Sequence, residues 1–99
     1  MPTFAVLFED QSDADPNIRR DHMPAHLSFL EANAGMISDA GPLRQGDGTA
    51  AGGMWLVNAA DVAEVDRLVH EDPFGPTGLR ETYHVLEWSR VFAEGRRVP

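Results

Sequence analysis

Apolar positions fall in runs whose spacing changes along the chain. Thr3-Phe4-Ala5-Val6-Leu7-Phe8 is short, β-branched and aromatic, the pattern of a buried strand. An acidic stretch from Glu9 to Asp15 follows, and Asp15-Pro16 resembles a helix N-cap with proline in the first helical position. Met23, His26, Leu27, Leu30 and Ala34 then recur at intervals of three and four, with Gly35 as a natural stop. Pro24 lacks an N–H and fits only a first turn or a kink. The spacing therefore predicts a short turn near residues 16–21 and a main helix from about Met23 to Ala34.

Met36 to Leu43 reads as a second strand ending at Gly41-Pro42, and Gln45-Gly46-Asp47-Gly48 as a turn. A third strand is expected from about Ala51 to Asn58, interrupted only by Gly52-Gly53. Asp61 with Glu64 forms a capping-box pattern, and Val62, Val65, Leu68 and Val69 supply one apolar face. That helix should stop before Pro73, with Asp72 to Gly78 as a loop or single turn. The last strand is expected from Glu81 to about Phe92, with Leu86, Trp88 and Phe92 sharing a face with His84 and Arg90. The tail from Glu94 to Pro99 reads as polar and mobile.

The order is βαββαβ. Two right-handed crossovers interleave into a ferredoxin-like α+β fold, a four-stranded antiparallel sheet with both helices on one face. No linker or repeat divides the sequence, so residues 1–99 are expected to form a single domain. If the first strand runs upward, one rim collects Glu9 and Asp10, His22 and His26, the tip near Gly46, His70 and Asp72, and Tyr83 and His84. All four histidines of the chain thus lie towards one end.

Composition narrows the chemistry. Eight basic residues, all arginine, face 16 acidic ones, a formal net charge of −8. Such a surface repels phosphate backbones and anionic lipid, which argues against nucleic-acid and membrane partners. The absence of cysteine removes disulfides, thiol catalysis and zinc-thiolate sites. Without a signal-peptide pattern or a long apolar run, a cytoplasmic protein is expected. A small core and two tryptophans, Trp55 and Trp88, suit packing or a subunit interface.

His26 is the leading candidate for chemistry, because it sits in an apolar stripe and should lean toward the sheet. Asp72 lies at the same rim and could fix the imidazole tautomer and raise its basicity. The alternative is a core histidine bonded to a carbonyl, with Asp72 shaping the turn before Pro73. Asp21, His22 and His26 also admit a metal reading, but Pro24 turns His22 elsewhere and no third ligand has a fitting spacing; no metal or cofactor is expected. Tyr83 and His84 point to opposite faces of one strand, so only one can face the helices. The glycines from Gly46 to Gly53 do not cradle phosphate, since no helix start and no lysine accompany them.

Met23-Pro24-Ala25-His26-Leu27 resembles the Arg-Pro-x-His-Leu segment of the YCII-related (YciI-like) proteins. Ala40-Gly41-Pro42-Leu43 resembles their second strand, and the helix from Asp61 closing on Asp72-Pro73-Phe74 resembles their helix, Asp-Pro-aromatic and final strand. The ordered set spans Phe4 to Phe92. The resemblance implies a homodimeric α+β barrel with an active-site His–Asp pair, which maps onto His26 and Asp72. Characterised relatives include a dehydrochlorinase acting on a chlorinated hydroxyhydroquinone, and the fold is similar to that of muconolactone isomerase. Met23 departs from the pattern, standing where many relatives carry arginine; Arg19 or Arg20 could supply that charge.

The expectation is a cofactor-free lyase or isomerase moving a proton on a small cyclic or aromatic oxygenated substrate. His26 would act as general base or acid and Asp72 would orient it. Arg19, Arg20, His22, Tyr83 and His84 are the candidates for binding substrate. A non-catalytic ligand-binding or sensing module, and a cofactor-free monooxygenase of the same barrel superfamily, are the rival readings.

Overall fold

The computed structural model describes all 99 residues. Its elements are β1 (Thr3–Asp10), α1 (Ile18–Ala32), β2 (Ile37–Arg44), β3 (Ala50–Asn58), α2 (Val62–Glu71) and β4 (Arg80–Trp88). A single helical turn at Gly75–Thr77 precedes β4, and two short strands, β5 (Phe92–Ala93) and β6 (Arg96–Arg97), follow it. The four long strands form one antiparallel sheet in the order β2-β3-β1-β4. This is the ferredoxin-like α+β fold.

The core is built where two periodicities meet. Alternate residues Phe4, Val6 and Phe8 of β1 and Trp55 and Val57 of β3 are buried, as are Val65, Leu68 and Val69 of α2. Strand side chains alternate between faces, while helix residues three and four apart share one. Asp61 caps α2 by accepting the Glu64 N–H at 3.0 Å, and the Glu64 carboxylate takes the Ala60 N–H at 3.1 Å. The reciprocal bond therefore falls one residue before the cap.

Three expectations need correction. Helix α1 is one element from Ile18, not a turn followed by a helix, and Pro24 lies inside it. Pro24 leaves the Arg20 carbonyl without its helical donor, but both residues are solvent-exposed, so water can take that carbonyl. The N-cap is Asn17, with Asp15 turning the chain into it by accepting the Asn17 N–H at 2.9 Å. The fourth strand ends at Trp88, and the tail is a hairpin whose turn residues Glu94 and Gly95 have φ of 54° and 76°. Two successive positive φ values match a two-residue turn that suits the right-handed strand twist.

Candidate functional site

Helix α1 crosses the sheet with Arg19, Met23, His26, Leu27 and Leu30 facing a cleft of about 130 Å³. At roughly 100° per residue these positions share one stripe. The other wall comes from Phe8 and Trp55 of the sheet and from Phe74, Leu79 and Arg80, which follow α2. Gly53 lies at the cleft floor, where a Cβ would stand 3.9 Å from the Phe8 ring.

His26 is buried, and its Nδ1 lies 2.8 Å from Asp72 Oδ1 across 46 residues of sequence. Asp72 ends α2, with its backbone N–H on the Leu68 carbonyl at 3.1 Å. Its side chain is closed in on every side: Oδ1 also accepts the Phe74 N–H at 3.1 Å, and Oδ2 accepts Arg80 Nη2 at 2.6 Å. Burial alone would push the Asp72 carboxyl up. The hydrogen bond from His26, the charge of Arg80 and the Phe74 N–H outweigh it and hold the group below its ordinary 3.8. An ionised Asp72 accepts from Nδ1–H, which leaves Nε2 of the neutral ring as the proton acceptor. Nε2 makes no hydrogen bond within the chain and is not sealed from solvent. The imidazole packs on Phe74 at 4.4 Å between ring centroids, which fixes its plane.

Arg80 escaped the sequence reasoning. Its guanidinium lies 3.9 Å from the Phe8 ring centroid, with Trp55 and Phe74 at 5.5 and 5.6 Å. Burial pulls its pKa down and Asp72 pushes it back up, with a net lowering, but a guanidinium stays charged at neutral pH. The signal was present: Arg80 opens the last strand at the rim that also collects Asp72. The antiparallel register sets Arg80 opposite Asp10. Arg19 reaches the same place, binding both Asp10 oxygens at 2.9 and 3.3 Å and the Gly52 carbonyl at 3.0 Å.

The remaining candidates lie outside this cleft. Arg20 pairs with Asp21 at the surface, and His22 is exposed; each is turned about a quarter of the way round α1 from the cleft stripe. Tyr83 does face the helices, but its hydroxyl donates to Asp66 Oδ1 on α2 at 3.0 Å, so it ties β4 to α2. Burial, the Asp66 bond and the Asp66 charge all push its pKa up. His84 points to the opposite face, 3.4 Å from Glu9. His70 is exposed and bonds the Asp66 carbonyl at 2.7 Å. The topology does bring the histidines to one end, but only His26 enters the cleft. Asp21, His22 and His26 do not converge, and no three His, Asp or Glu side chains are grouped to hold an ion.

No curated protein sequence matches this chain. Among solved structures, the chain is similar to 5-chloro-2-hydroxyhydroquinone dehydrochlorinase (TftG) from Burkholderia phenoliruptrix in complex with 2,5-dihydroxybenzoquinone. The identity is 26%, 88% of this chain and 93% of that one are covered, and the TM-score is 0.72. The sequence model of the YCII-related domain matches residues 3–89. With a match of that extent, on a fold shared with a member enzyme, the chain belongs to the YCII-related family.

Proposed function

We propose that this chain is a small acid–base enzyme of lyase or isomerase type acting on a small cyclic or aromatic oxygenated molecule. The observation that carries the reading is the buried His26 Nδ1–Asp72 Oδ1 bond of 2.8 Å, which leaves Nε2 open to an aromatic-walled cleft. In this reading Nε2 takes a proton from a substrate O–H or activated C–H and later returns it. Asp72 holds the tautomer and stabilises the imidazolium that forms, and Arg80 holds Asp72. The groups are the chain's own, so the reading calls for no cofactor. Such catalysis contributes about 10²–10⁴-fold in rate, which suits substrates that are already acidic. The dehydrochlorinase similar to this chain, solved with a dihydroxybenzoquinone, supports a hydroxylated ring as the substrate class.

The test is turnover of hydroxylated quinones and aromatics by wild type and by His26→Gln. Asp72 keeps Arg80 and the Phe74 N–H as partners in that variant, so the fold should survive. Turnover should fall about 10²–10⁴-fold. Unchanged turnover in a folded His26→Gln protein would sink the mechanism.

A further inference from the structure

We propose that the cleft takes its substrate as an oxyanion, with a ring oxygen held by the guanidiniums of Arg80 and Arg19 while another edge of the ring meets His26. The inference rests on the acid–base reading above and names the ionised form of substrate that the site selects.

Arg80 Nη1 is the one buried side-chain nitrogen or oxygen in the chain with no hydrogen-bond partner. A buried N–H left unmet costs about 1–3 kcal/mol, so packing alone does not account for it. The guanidinium is also fixed in place: the side chain is 12% exposed, one nitrogen is bound to Asp72, and the plane lies over Phe8. A fork held this way loses little freedom when it takes an acceptor.

Arg19 strengthens the case. Its charge reaches Arg80 and works against it, while Asp10 works in favour. Two cations side by side in one wall cost free energy unless anions answer both. Asp10 and Asp72 answer one each, which leaves the wall near neutrality. Each guanidinium carries five N–H donors, more than its carboxylate and the Gly52 carbonyl use. Spare donors on a preset wall of near-zero net charge suit a single negative oxygen rather than a highly charged group such as phosphate. Beside them stand Trp55, Phe74 and the Leu27 side chain, a surround for a flat ring. A hydroxyquinone, an acidic phenol or an enol fits both requirements.

Calorimetric titration with 2,5-dihydroxybenzoquinone and with its di-O-methyl ether tests this, since only the former can ionise. Wild type should bind the hydroxyquinone about 10- to 100-fold more tightly, the value of one or two charge-assisted hydrogen bonds. Arg80→Lys, which keeps a cation on Asp72, and Arg19→Gln, on a side chain 27% exposed, should each reduce that preference. His26→Gln should retain it. Equal affinity for the two compounds, no binding of the hydroxyquinone, or a full preference in the folded Arg19→Gln/Arg80→Lys double variant overturns the inference. Turnover unaffected by His26→Gln, with the preference intact, would sink the acid–base reading alone.

Discussion

At the scale of single residues, Asp72 decides most of the site's behaviour. It is a helix-end residue, the acceptor for His26 and the counter-charge of Arg80. Replacing it with asparagine leaves a buried guanidinium without its anion, and breaking such a pair costs about 3–5 kcal/mol. Urea unfolding of Asp72→Asn at pH 7 should show a loss of that order. The pH dependence follows from the same group. Its folded pKa lies below 3.8, so the native state releases its proton more readily than the unfolded chain. The stability it contributes is complete above that value and disappears as the pH falls through the folded pKa. Asp72→Asn should therefore flatten the acid limb of a stability–pH curve. Long-range ¹⁵N correlation spectra of neutral His26 should place the proton on Nδ1. His26 and Asp72 were legible in the sequence because strand and helix directions bring the ends of distant segments together. Arg80 was passed over although its position at the start of the last strand put it at the same rim; only its bond to Asp72 singles it out. Tyr83 and His84 were legible as to face but not as to partner.

At the scale of elements, local rules served well where they stood alone and failed where packing outweighed them. The cap of α2 was readable from Asp61 and Glu64, and Asp61→Ala should cost about 1 kcal/mol in thermal or urea unfolding. Pro24 misled because an exposed helix face tolerates a lost backbone bond that a buried face would not. The pair Gly52-Gly53 carried no local message, yet a Cβ on Gly52 would fall 1.9 Å from the Phe8 carbonyl oxygen, at a φ of +125°. That close approach sets the carbonyl that holds Arg19. Gly52→Ala should accordingly loosen Arg19 and the β1–β3 pairing together, visible as faster amide exchange in both strands.

At the scale of the molecule, the sheet has one covered face and one open one. Ala5, Leu7, Met54, Leu56, Leu86 and Trp88 share the open side by register, and Leu86 and Trp88 are 54% and 38% exposed. Apolar area of this kind is what a two-fold contact between copies would bury. We propose a homodimer through this face; sedimentation should give twice the 10.9 kDa chain mass, and Leu86→Asp should return it to the monomer. The open face was half-visible in the alternation of the last strand, whereas its extent depended on pairing with β1 and β3. A different consequence follows from the bond that joins His26 to Asp72. Its two ends sit 46 positions apart, so a fragment or nascent chain that lacks either segment cannot form the pair. On the proposed acid–base reading, activity becomes an all-or-none gauge of intact tertiary structure: along a denaturant series, turnover and the near-ultraviolet tryptophan signal should vanish on one curve.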